Sequence, residues 1–164
     1  MKTRSNYLKS LFVPLVAGVL MSSMLLMACS KDDNDNDNPN TMYNISGNAS
    51  ASQEVPANAS TGTATLTGTY NAGNNSLNYT INWTGLTDVA TVAHFHGPAA
   101  VGVSANPLVD IAITSNGING TASGTITLAD SVETALLAGN IYYNVHTLLN
   151  PNGEIRGQVA ATLQ

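Results

Sequence analysis

Only 9% of the 164 residues are charged, against roughly 25% in an average soluble protein, and Thr, Ser, Asn, Gly and Ala fill the gap. That composition suits short strands with polar outer faces and many turns, and it excludes long charged helices. Beyond Cys29 two basic residues, Lys31 and Arg156, stand against ten acidic ones, a net of −8, so no basic patch exists to neutralise phosphates and nucleic acid is excluded as a partner.

The chain opens with Lys2, Arg4 and Lys9, followed by an almost wholly apolar run over residues 11–28. The run ends in Leu26-Met27-Ala28-Cys29, the lipobox pattern: an aliphatic residue at −3, a small one at −1 and then cysteine. This predicts a lipoprotein signal peptide over residues 1–28, cleaved before Cys29, whose thiol becomes the lipid attachment point. Several acyl chains, each buried methylene contributing about 0.8 kcal/mol, hold a protein to a membrane where one chain does not. Cys29 is the one cysteine, so the folded part has no intramolecular disulfide.

From Ser30 to Asn40 no apolar residue appears, and nothing offsets the entropy of ordering the segment. Residues 29–42 are therefore expected to form a solvated Asp/Asn tether. Its Lys31-Asp32-Asp33 start is similar to the acidic signal that carries some lipoproteins to the outer cell face. Alternating Asp and Asn invites a calcium reading, but the central Gly and final Glu of an EF-hand loop are missing. The expected location is the bacterial outer membrane, with the lipid anchor binding the chain to it.

From residue 43 to 164 the period changes to two. Leu77, Tyr79, Ile81 and Trp83 alternate with Asn78, Thr80, Asn82 and Thr84, as a strand with one buried face requires. Similar runs are 44–51, 62–70, 91–96, 108–114, 120–128, 141–147 and 155–162. Turn chemistry separates most of them, at 71–74, Gly97-Pro98, Asn116-Gly117 and Asn150-Pro151-Asn152-Gly153. Residues 131–138 alone are predicted helical, with Ser131 as a cap and Gly139 as a stop. The fold class is all-β: an antiparallel Greek-key β-sandwich or barrel of about eight strands with one short helical turn. Tyr79, Trp83, Tyr142 and Tyr143 read as core or half-buried sheet residues rather than as a ligand-stacking face.

Three segments carry a resemblance: Gln53-Glu54-Val55-Pro56, then residues 93–99 (Ala-His-Phe-His-Gly-Pro-Ala), then Tyr143–Thr147 with Asn150–Gln158. In order and spacing they resemble the CHRD, or chordin-type, domain over about residues 44–161. The resemblance implies a superoxide dismutase-like sandwich and a bacterial setting, and it fixes no activity. Where the family pattern often has more glycines after His-x-His, Ala99–Val103 makes this loop more apolar.

All three histidines of the chain lie in these motifs. His94 and His96, two apart, project from one strand face about 7 Å apart, and His146 on a neighbouring strand can complete a three-nitrogen set. Imidazole nitrogens suit copper or zinc, and three histidines plus water form an open site. The His-x-His strand is similar to half the copper site of copper-zinc superoxide dismutase, yet the chain has no fourth histidine to complete one. The other reading is that these rings hydrogen-bond backbone and fix loops. Glu54 and Glu154 are candidate oxygen ligands, or partners of Arg156, the only basic residue of the folded part, in a structural ion pair. No catalytic residue set emerges, and Thr147 beside His146 is an ordinary strand threonine. The leading expectation is a non-enzymatic binding or structural module on the cell envelope, with a protein or glycan partner. The alternative is a copper- or zinc-binding protein using His94, His96 and His146.

Overall fold

The computed structural model describes residues 41–164; residues 1–40, with the expected signal peptide, Cys29 and most of the tether, lie outside the described residues. Ten antiparallel strands join in one sheet: β1 (Met42–Ser50), β2 (Thr63–Asn71), β3 (Ser76–Thr84), β4 (Ala90–His96), β5 (Pro107–Asp110), β6 (Ile113–Ser115), β7 (Gly120–Thr127), β8 (Tyr142–Thr147), β9 (Ile155–Gln158) and β10 (Ala160–Leu163). The order across it is β5-β4-β8-β9-β1-β2-β3-β7-β6, with β10 pairing the first half of β1 while β9 meets its far end at Ser50 and Arg156. An all-β antiparallel fold is thus what the period-two pattern produces.

Two of the expected runs are each broken in two, which raises eight strands to ten. The run over 108–114 breaks at Ile111 and Ala112 because the chain crosses there between the two edges of the sheet. Ile111 N–H donates to Ala93 O of β4 at 2.9 Å, and Ala112 O accepts from Ser123 N–H of β7 at 3.2 Å. The sheet therefore curls until its edges meet, and its backbone groups there are satisfied. The run over 155–162 breaks at Val159, whose N–H turns to Ile141 O at 2.8 Å.

Curling encloses one apolar core. Leu77, Tyr79, Ile81 and Trp83 on β3 pack with Leu66, Phe95, Ala122, Tyr143, Val145 and Ile155, all of them buried. Burying a side chain of the Leu or Ile class contributes about 2 kcal/mol, and many such groups hold the domain without a disulfide. Polar tips are matched: Trp83 Nε1–H donates to Gly117 O at 3.0 Å and Tyr79 Oη accepts from Ala112 N–H at 3.1 Å.

The helix α1 spans Asp130–Leu137, one residue earlier than expected. Ser131 is not its cap; Ala129 holds that position without a side-chain bond, while Thr134 Oγ1–H donates back to Asp130 O. Gly139 does end it: at φ +70° its N–H reaches Leu136 O, and Asn140 N–H reaches Ala135 O, closing a Schellman motif.

Candidate metal centre

Strand alternation decides which side chains meet. On β4, Ala93 and Phe95 enter the core, so His94 and His96 face outward together; on β8, Tyr143 and Val145 enter it, so Tyr142, Asn144 and His146 face outward. Antiparallel pairing of β4 with β8 sets His94 opposite Asn144 and Val92 opposite His146. A row of partners then runs Asp110, His94, Asn144, Arg156, Ser50 across five strands.

This outer face is nevertheless covered, and β8 is buried along its whole length. The chain from Gly97 to Asn106 crosses it: Ala105 O accepts from His96 Nδ1–H at 2.9 Å and from Tyr142 Oη–H at 3.1 Å, and Val103 O accepts from Arg156 at 2.8 Å. The Asn150–Gly153 turn comes from the other side, where Pro151 O accepts from His146 Nδ1–H at 3.0 Å. Carbonyl oxygens cannot donate, so these two bonds fix where the ring hydrogens lie. Nε2 is left as the lone-pair nitrogen of neutral His96 and of neutral His146.

The three rings converge. His94 Nδ1 is 3.1 Å from His146 Nε2, and one ligand atom from each of the three histidines falls within 4.8 Å of the others. Two nitrogens on one tetrahedral zinc are about 3.3 Å apart, so the His94–His146 pair already stands at ligand spacing. The other nitrogen of His94, Nε2, faces the exposed carboxylate of Asp110 at 3.6 Å. Burial holds His96 and His146 below the ordinary imidazole value, outweighing the carbonyl bonds that pull the other way. Both are thereby kept neutral near pH 7, the state in which imidazole binds metal. Tyr142 stacks on His96 with ring centroids 4.7 Å apart and planes 4° from parallel, and the Arg156 guanidinium lies 3.5 Å from the centroid of the same tyrosine.

A family model of the CHRD domain matches residues 45–159. The chain belongs to the CHRD domain family. The match contains every histidine, both candidate glutamates and Arg156, and it spans the strands from β1 to β9. Searches of curated proteins and of solved structures each return no match.

Within the CHRD domain the two glutamates part company. Glu154, fully buried, accepts from Ser60 Oγ–H at 2.6 Å, Thr87 N–H at 2.6 Å, Thr87 Oγ1–H at 2.9 Å, Thr147 Oγ1–H at 2.7 Å and Asn150 Nδ2–H at 3.2 Å. Burial alone would raise its carboxyl, but these donors overcome it and hold the group below the ordinary carboxylate value. Glu154 thus ties together four stretches of chain and has no lone pair to spare, and the hydroxyl of Thr147 is engaged with it. Neither Glu154 nor Glu54 is part of the three-histidine group. Arg156 forms no close ion pair among the described residues, and the carboxyl that its charge acts on is that of Glu54 rather than Glu154.

Sequence reasoning missed Asn144, Asp110 and the carbonyls of Ala105 and Pro151. Asn144 was within reach, since its position two before His146 on one strand sets both on one face. The carbonyls belong to loops whose course no periodicity encodes.

Proposed function

We propose that this CHRD domain is a metal-binding module that holds a zinc or copper ion on His94 Nδ1, His96 Nε2 and His146 Nε2, displayed at the cell envelope on a lipid carried by Cys29. The observation that supports it most is the hydrogen-bond pattern around the rings. His96 and His146 each give their one ring hydrogen, on Nδ1, to a backbone carbonyl, the outer-shell arrangement that orients metal-ligating histidines, and the second nitrogen of His94 stands 3.6 Å from the carboxylate of Asp110. Three ligands leave a fourth position for water or for a group on a partner. The lipobox at residues 26–29 and the polar stretch after it support the anchor.

A second reading has an observation of its own. The same bonds to Ala105 and Pro151 pin two loops, and a purely structural role for the histidines would use them equally. Calorimetric titration of the full chain with zinc and with copper separates the two. One-to-one uptake is expected, weakened at least a hundredfold in the His94→Ala/His146→Ala double variant. A parent chain that takes up neither metal, with a double variant that is merely less stable, would leave the histidines as loop ties.

A further inference from the structure

His96 presents a hydrogen-bond count that does not close by itself. Its Nδ1 faces Ala105 O at 2.9 Å and its Nε2 faces Asn144 Oδ1 at 2.9 Å. A neutral imidazole has one hydrogen for these two oxygens. Either the ring is an imidazolium, or the amide of Asn144 has its ends exchanged so that Nδ2–H donates to Nε2; the two ends of an amide are assigned from such counts. The ring is buried and 4.7 Å from Tyr142, and Arg156 lies beyond that tyrosine, so a second positive charge is disfavoured here. The exchanged amide is the state that closes the count.

Exchange turns Asn144 Oδ1 toward Glu54. A Cβ built on Gly153 would meet Glu54 Oε1 and Asn144 Nδ2 at once, at 2.6 Å for the amide and closer still for the carboxyl, so the bare glycine at φ +123° is what leaves room for the two groups to approach. Glu54 Oε1 is buried and has no hydrogen-bond partner. An ionised oxygen in that state is costly, whereas a protonated one has a natural acceptor in Asn144 Oδ1. The groups facing the carboxyl are Asn144 on β8, Arg156 on β9, the Val55 backbone N–H and Gly153 of the turn. Burial outweighs the attraction of Arg156 and the hydrogen bonds of the Asn144 side chain and the Val55 N–H, and raises the carboxyl to about 7.

We propose that Glu54 is the positioning residue of the histidine site: its proton holds Asn144 against His96 Nε2 in the metal-free protein, and metal entry releases that proton. The inference rests on the metal-binding reading above and says how the site opens. A metal ion takes the lone pair of His96 Nε2, and Asn144 Nδ2 loses its acceptor. The amide then turns, Nδ2–H donates to the Glu54 carboxylate, and the Glu54 proton leaves to solvent. One proton per ion is added to whatever the histidines themselves release.

The test counts protons when zinc chloride is titrated calorimetrically into the full chain in two buffers of different ionisation enthalpy. At pH 6 the wild type is expected to release close to one proton more than Glu54→Gln, whose amide donates to Asn144 without carrying a titrating proton. At pH 8.5 the difference disappears. Between pH 8 and pH 6 the zinc affinity of the wild type is expected to fall about tenfold further than that of the variant, the linkage of one group with a midpoint near 7. Equal proton counts at both pH values, with zinc bound, overturn the role of Glu54 and leave the metal site standing. Absence of zinc uptake by the wild type overturns both. A metal-free measurement needs no variant to fold: carbon-13 NMR of the Glu54 carboxyl is expected to show a protonated group at pH 6, and an ionised one there also overturns the proposal.

Discussion

Glu154 shows how a single carboxylate can organise a domain that has only one other charged group buried with it. Its oxygens collect donors from Ser60, Thr87, Thr147 and Asn150, so the loops after β1 and β3 and the turn after β8 meet on one side chain. Hydrogen bonds to a charged acceptor are each worth about 2 kcal/mol, and removing the acceptor strands the donors. Glu154→Ala is therefore expected to lower stability by roughly 3 kcal/mol in urea denaturation, and Glu154→Gln by less. The pH dependence has a definite sign. A carboxyl held below its ordinary value stabilises the fold above the unfolded-state value of 4.5, and that contribution is lost as pH falls through the lower folded-state value. Acid unfolding of the wild type should thus be steeper below pH 4.5 than that of Glu154→Gln; identical acid limbs would remove Glu154 from this role. At this scale the three histidines were legible, because a spacing of two on a strand fixes a shared face. The role of Glu154 was not, because its partners come from loops up to 94 residues away in sequence.

Among the elements, the β8–β9 hairpin does most to shape the site. Asn150 O accepts from Gly153 N–H at 3.1 Å to close the turn, Pro151 O holds His146, and Gly153 leaves the gap through which Glu54 reaches Asn144. Gly153→Ala combines a disfavoured positive φ with a clash against Glu54 and Asn144. It is expected to destabilise the domain by about 2 kcal/mol in thermal or urea unfolding and to reduce zinc affinity at the same time. A variant with unchanged stability would show that the turn relaxes freely. The hairpin was readable from Asn-Pro-Asn-Gly between two apolar runs, as was the glycine stop of α1. The strand breaks at Ile111–Ala112 and at Val159 were not. Both follow from where the sheet closes on itself, and an apolar run reads the same whether its hydrogen bonds stay on one neighbour or pass to another. The cap of α1 failed as an expectation: Ser131 lies inside a helix whose cap position Ala129 takes, and its buried residues are Ala135 and Leu136.

For the molecule as a whole, the course of β1 separates entry from site. Chain from the expected tether enters at Met42, which pairs with Asn71, while the far end at Ser50 pairs with Arg156 in the row that contains Asn144 and His94. Nine residues of strand advance about 26 Å, so the histidines stand well away from the point at which a lipid-anchored tether would join the domain. Site and point of entry thus lie towards opposite ends of β1. Anchor and site are then expected to be independent. Cys29→Ser should abolish labelling by a radiolabelled fatty acid and move the chain from the membrane to the soluble fraction, while zinc affinity stays within a factor of two. Retained labelling would refute the lipidation of Cys29. Lost labelling together with lost zinc binding would refute the independence of anchor and site instead.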